Sequence, residues 1–186
     1  MYANSEIYSF ENEVWVRTPD GKHQQLKEDS RDFIRYMISR ISEFYPEAYA
    51  KLRSEYEKCA PNMAYYQYRM VRRFCRCNFG IIDDVKDISY NGTMNFERVQ
   101  CPLRGECSCE GIICGPKFNS KISDAEERVL KMIFRGKSKE DIADELCLSI
   151  HTVNNHIRNA YSRIGVHEKA EFIDYAHKHK LWQEKE

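Results

Sequence analysis

Residues 149–166, Ser-Ile-His-Thr-Val-Asn-Asn-His-Ile-Arg-Asn-Ala-Tyr-Ser-Arg-Ile-Gly-Val, decide how this chain is read. Val153, Ile157, Ala160, Tyr161 and Ile164 recur at helical spacing and define one apolar side. His151, Asn154, Asn155, Arg158 and Ser162 fall on the opposite side. No Asp or Glu occurs between Ile150 and Ile164, although the chain carries 29 acidic residues. An ordinary solvated helix in so charged a sequence would carry some. Asparagine amides can make paired hydrogen bonds with adenine edges and a guanidinium with guanine, so this face has the chemistry to read a DNA groove. Thr152, one turn into the helix, is placed to hold a phosphate with help from first-turn amides and the helix dipole.

Two further helices lead into this one. Ser123 and Glu126 form a capping box, in which hydroxyl and carboxylate each satisfy an orphan amide. Val129, Leu130 and Ile133 give that helix a buried stripe, and Gly136 ends it. Ser138 caps the next helix, with Ile142, Ala143 and Leu146 facing inward, and Ser149 caps the third.

This segment resembles the LuxR/FixJ-type helix-turn-helix domain. The resemblance rests on Ile122-Ser123, Glu126, Val129-Leu130, Gly136, Ser138, Ile142-Ala143, Leu148-Ser149, Thr152-Val153, His156 and Arg163-Ile164-Gly165-Val166, and continues into a fourth helix from Lys169-Ala170-Glu171 to near Tyr175-Ala176. It covers roughly residues 119–182. It implies a four-helix DNA-binding domain whose third helix enters the major groove, acting as a homodimer on paired half-sites. By position, Asn154, Asn155 and Arg158 would face bases, with Thr152 and His156 near the backbone. Ser149 and Asn159 complete the candidate contact set. Two departures remove positive charge: Ala125 stands where the family often has Arg, and Glu140 where it often has Lys. With Asp141, Asp144 and Glu145, the second helix is acidic. Each domain is therefore expected to bind DNA weakly, with a shallow salt dependence. The fourth region of a sigma factor shares several of these positions, but the Gly165-Val166 ending and the extra helix favour the LuxR type.

The N-terminal half reads as α+β. Glu13 to Arg17 alternate around Val14 and Val16, Thr18-Pro19-Asp20-Gly21 marks a turn, and a second extended piece follows. Behind a Ser30 cap, Phe33, Ile34, Met37, Ile38, Ile41 and Phe44 recur at helical spacing. Pro46 opens a second helix carrying Tyr49, Leu52 and Tyr56, and Met63 to Cys75 reads as a third. Residues 78–118 are rich in Gly, Pro, Asp and Cys and are expected to be mostly loop, with one strand at Met94 to Val99.

Eight cysteines are many for a chain of this size. Clustered thiols in a reducing compartment point to metal ligation or redox chemistry rather than disulfides. Cys101, Cys107, Cys109 and Cys114 fall within fourteen positions, preceded by Cys75 and Cys77. Pro102, Gly105, Gly111, Gly115 and Pro116 allow the tight turns of a tetrahedral site, and a bound ion would supply stability to a stretch with few large apolar residues. The expected ligands are Cys77, Cys101, Cys107 and Cys114, or alternatively the contiguous four, with Cys75 and Cys109 as further candidates. Zinc is the first choice; an iron–sulfur cluster or oxidisable free thiols would use the same residues. Cys59 and Cys147 read as core or isolated thiols.

Tyr65, Tyr66 and Tyr68 precede Arg69, Arg72, Arg73 and Arg76 with no acid between Met63 and Asn78. The group could grip a phosphate backbone; the plainer reading packs Tyr66, Met70 and Phe74 inward and pairs the arginines with Asp83, Asp84 and Asp87.

With 29 basic and 29 acidic residues there is no overall positive field, so any nucleic-acid site is local. No signal pattern or membrane-length apolar run occurs, and the chain is expected to be cytoplasmic, bacterial and without a membrane partner. No phosphate-cradling loop occurs, nothing in the sequence supports a Cys–His nucleophile pair or a phospho-acceptor receiver domain, and no enzymatic activity is expected. The fold expectation is mainly α. An α+β N-terminal domain over 1–98 (a β-hairpin and three helices) precedes a Cys-rich element and linker over 99–118. An all-α four-helix LuxR-type helix-turn-helix domain over 119–186 follows. The functional expectation is a sequence-specific transcriptional regulator of double-stranded DNA. The alternatives are an adaptor binding RNA polymerase or another regulator, and an iron–sulfur redox-sensing regulator.

Overall fold

The computed structural model describes residues 2–83, 85–89, 94–179 and 181–182. Its chain falls into two compact units, Met1–Lys117 and Phe118–Glu186. Among the described residues it contains seven α-helices and one three-stranded sheet.

In the first unit β1 (Glu6–Phe10), β2 (Glu13–Arg17) and β3 (His23–Gln25) form an antiparallel meander in sequence order. Phe10 pairs with Glu13, so only Glu11 and Asn12 close the first hairpin, with φ of 49° and 67°. Two consecutive positive φ values match a turn whose twist agrees with that of the strands. Ile7, Val14 and Val16 share the buried sheet face with Leu26.

The helices α1 (Arg31–Phe44), α2 (Pro46–Glu55) and α3 (Met63–Asn78) pack on one another, and α3 lies against β1 and β2. Their apolar stripes converge through Phe33, Met37, Ile41, Leu52, Met70 and Phe74. Pro46 starts α2 because a first-turn residue needs no amide partner. Asn62 caps α3 by accepting the Tyr65 amide at 3.2 Å. Ser30 precedes α1 but does not cap it; its hydroxyl accepts from the Lys27 amide at 3.0 Å.

The expected strand at 94–99 does not form: Met94 makes one isolated antiparallel bridge to Ile88, and 95–100 is irregular. The side chains explain why. Phe96 turns into an aromatic cluster with Tyr45, Phe74 and Phe79, ring centroids 5.1–5.8 Å away. Glu97 folds back to accept the Gly80 and Ile81 amides at 2.8 and 3.0 Å. The Cys-rich segment packs within the first unit, tied to the end of α3.

The second unit holds α4 (Asp124–Phe134), α5 (Lys139–Glu145), α6 (Ile150–Ile164) and α7 (Lys169–Lys178). Capping boxes at Ser123/Glu126 and Ser138/Asp141 start the first two, and the Ser149 hydroxyl accepts the Thr152 amide at 3.0 Å to start the third. Gly165 ends α6 at φ 71°, a left-handed geometry that glycine adopts without a Cβ clash. Both α4 and α5 pack on α6, whose Val153, Ile157, Ala160 and Tyr161 join Val129, Leu130, Ile142 and Phe172 in one core. No helix among the described residues is long and apolar enough to cross a membrane.

Candidate nucleic-acid interface and thiol cluster

The face of α6 opposite its core stripe is exposed at His151, Asn154, Arg158, Asn159 and Ser162. Thr152, Asn155 and His156 are half-buried along its borders. The sequence-derived contact set is thus spread over one side of a single helix, but its members differ in freedom. The Thr152 hydroxyl lies 2.8 Å from the Ser149 hydroxyl, so both are engaged in the cap. Arg158 donates through Nη2 to Asn155 Oδ1 at 3.0 Å. The first turn of α6 carries no acid to oppose a phosphate.

Beside this face runs a groove of about 730 Å³, lined by Asn154, Arg158 and Ser162 of α6 and by Lys137, Lys139 and Lys169 among others. These lysines, brought in by the starts of α5 and α7, were missed from sequence. Lys137 and Lys139 flank the Ser138 cap, and that was the available signal. The acidic character of α5 is partly used internally, since Asp141 closes the capping box and Glu145 pairs with Lys137. Glu140 and Asp144 remain exposed.

The angle of α6 is fixed by Glu126, which is 3% exposed. Its Oε2 accepts from the Ser123 amide and hydroxyl at 2.9 and 2.7 Å and from the Arg163 guanidinium of α6. Burial alone would raise this carboxyl's pKa, but the Ser123 bonds, Arg163 and His156 outweigh it and hold the pKa below its ordinary value.

Cys147, in the turn between α5 and α6, is exposed rather than packed, at φ 52°. Its Sγ reaches the Asp144 carbonyl at 3.9 Å.

In the first unit the structure brings Cys77, Cys101, Cys107 and Cys114 into one neighbourhood. Cys77 and Cys114 lie beside each other, both interact electrostatically with Cys101, and Cys114 does so with Cys107. Arg73 donates through Nη2 to Cys107 Sγ at 3.5 Å. Burial, then the nearby Cys114, pushes the Cys77 thiol up to about 12. Burial likewise raises Cys114 and Cys109. Cys109 is buried beside Glu55, Ser108 and Cys107, while Cys75 lies in the core near Asp87. Among the described residues, no three His, Cys, Asp or Glu side chains already form a group that could hold a metal ion.

The tyrosine–arginine run of α3 is largely engaged within the first unit. Arg72 pairs with Glu13 at 3.3 Å and donates to the Asn12 carbonyl at 2.7 Å, instead of meeting Asp83 or Asp87. Asp84, the third expected partner, lies outside the described residues. Arg69 donates to the Tyr65 hydroxyl at 2.8 Å and stacks over Tyr56 at 4.9 Å. Tyr66, Met70 and Phe74 are buried, as the plainer reading required.

Comparison with known proteins places the second unit. Residues 120–176 match the GerE family, described as bacterial regulatory proteins of the luxR family. The Fimbriae Z protein of Salmonella typhimurium is 37% identical over 67 residues, covering 36% of this chain and 32% of that protein. The Fimbriae Z protein of Escherichia coli K12 is 40% identical over 60 residues, 32% of this chain and 29% of that protein. The chain therefore spans about a third of the length of these relatives, and its first unit lies outside the family match. Three side-chain-capped helices, a fourth helix after Gly165 and the match agree: residues 120–176 form a luxR-family helix-turn-helix domain.

Proposed function

We propose that this chain is a sequence-specific DNA-binding regulator of transcription that reads the major groove with α6 and acts in the cytoplasm as a homodimer. The observation that carries the reading is the exposed, acid-free face of Asn154, Arg158, Asn159 and Ser162 on a helix held rigidly from behind by its core stripe and Glu126. Asn154, Asn155 and Arg158 supply base contacts. His156 and Lys139, with Ser149 and Thr152 once their mutual bond is exchanged and Lys137 once it leaves Glu145, hold the sugar-phosphate backbone. Balanced overall charge and the exposed Glu140 and Asp144 keep the affinity of one domain modest, so two half-sites supply the rest.

A gel-shift titration of the full chain against random duplexes at two salt concentrations tests this reading. The parent protein is expected to shift duplex DNA with a shallow salt dependence, and Arg158→Ala to weaken the shift. Absence of any shift at low salt would contradict it. Glu140 and Asp144 favour a second reading, an adaptor that docks on RNA polymerase or another regulator, which would enrich no DNA sequence.

A further inference from the structure

We propose that Cys77, Cys101, Cys107 and Cys114 form a tetrathiolate site for one zinc ion in the first unit, independent of the DNA-reading proposal. The site is built around Asn78. This residue is fully buried, and its side chain donates to the Ile113 carbonyl at 2.8 Å and accepts the Gly115 amide at 2.7 Å. Cys77 precedes Asn78, and Cys114 lies between the two backbone groups that Asn78 grips. One buried amide thus holds Cys77 and Cys114 side by side, which accounts for the interaction of their thiols. Its third bond, to the Phe74 carbonyl at 2.9 Å, anchors the arrangement in α3.

The other two thiols arrive on tight turns. The Arg104 amide bonds the Cys101 carbonyl at 3.1 Å and the Cys107 amide bonds the Leu103 carbonyl at 2.9 Å. Gly105 sits at φ 90°, with its amide held by Glu110 at 2.6 Å. Sixteen described residues from Val99 to Cys114 contain no helix or strand, and Cys109 and Ile113 are their only buried apolar side chains. Such a segment has too little apolar surface to hold its turns, and a cross-linking ion supplies what the core does not. The four sulfurs are neither sealed nor fully exposed, so an ion can reach them.

Charge and ligand softness select the ion. Four thiolates around a divalent cation leave two negative charges. Arg73 already donates to Cys107 and interacts with Cys77, so its guanidinium offsets part of that charge; Lys51, nearer Cys107 and Cys109, is ion-paired with Glu55 at 2.7 Å. A closed all-thiolate set suits zinc rather than magnesium or calcium. Binding exchanges up to four thiol protons for one Zn²⁺ and draws the Cys101 and Cys107 turns onto the Cys77–Cys114 pair. Cys109, beside Glu55 and Ser108, lies outside the set, which separates this site from one built on the four contiguous cysteines.

The test uses the full chain, stripped with a chelator and reloaded with zinc chloride. One equivalent of zinc is expected, bound more weakly as pH falls. Alkylation followed by mass spectrometry should show zinc-dependent protection of Cys77, Cys101, Cys107 and Cys114, with Cys59 and Cys147 modified equally in both forms. Cobalt loading of the parent protein should give the intense sulfur-to-metal absorption of a tetrahedral tetrathiolate, a signal that needs no variant to fold. Cys114→Ser should lower zinc affinity at least 100-fold and Cys59→Ser should not. A chain that retains no zinc, protection that includes Cys109 in place of Cys77, or a brown iron- and sulfide-containing protein would each overturn the proposal.

Discussion

Arg158 and Asn155, both assigned base contacts in the proposed function, are hydrogen-bonded to each other at 3.0 Å. Under the proposed function, each exchanges an existing bond, rather than only a hydration shell, for a base contact. The pair also holds the guanidinium close to the helix, which lowers the ordering cost of placing it in a groove.

Replacing Arg158 with Ala is expected to cost roughly 1–3 kcal/mol of discrimination between a preferred and a scrambled duplex. Asn155→Ala should do less to affinity than to specificity, because it frees Arg158 to meet phosphates instead. Competition binding against matched and scrambled duplexes separates the two effects. Equal losses on both duplexes for both variants would contradict the assignment.

Glu126 joins two helices and closes a cap at once. Glu126→Ala removes the Ser123 partner and leaves Arg163 without its carboxylate, at an expected cost of about 2–4 kcal/mol of unfolding free energy. The pH dependence follows from the lowered pKa of this group. Its stabilising contribution is complete above the ordinary value of 4.5 and is lost as pH falls through the lower folded value. Urea denaturation followed by Trp182 fluorescence, in a Trp15→Phe background, should show the parent losing stability below that range and Glu126→Gln losing less. Parallel pH profiles would show that the carboxylate is not responsible.

Cys147 occupies a left-handed position with an exposed side chain. Cys147→Gly should raise stability by about 0.5–1 kcal/mol, since relief of the Cβ clash exceeds the added freedom of the unfolded chain. Cys147→Val should lower it. Thermal melts under reducing conditions decide the matter, and a destabilised glycine variant would contradict the strain argument.

Asn78→Ala leaves a buried carbonyl and a partly buried amide without partners and should cost about 2–4 kcal/mol in the first unit. Trp15 fluorescence in a Trp182→Phe background should register that loss during denaturation, while the second unit unfolds as before. A variant as stable as the parent would mean that Asn78 does not organise the loop.

How much of this was legible in the sequence depended on the range of the interaction. The limits of α6 followed from Ser149, an apolar residue every third or fourth position and Gly165, all signals within twenty positions of one another. The Glu126 capping box was equally local, but its second role was not, because Arg163 lies 37 residues away. The same distance effect hid the Arg72–Glu13 pair, whose partners are 59 residues apart, and misdirected the arginines toward nearby aspartates. Met94 to Val99 looked like a strand because its composition suits one. Phe96 and Glu97 were instead recruited by groups on Tyr45, Phe74 and Gly80 that no window around them contains. Cys147 looked apolar and small enough to pack, but its backbone conformation turns it outward, and side-chain character alone does not report φ.

Selection of bound duplexes from a random library by the full chain tests the central claim most directly. A recurring motif in two related half-sites, weakened at defined base pairs by Asn154→Ala and Arg158→Ala, is the predicted result. Recovery of no enriched sequence, or of one that survives both substitutions unchanged, would contradict the assignment of α6 as the reading element.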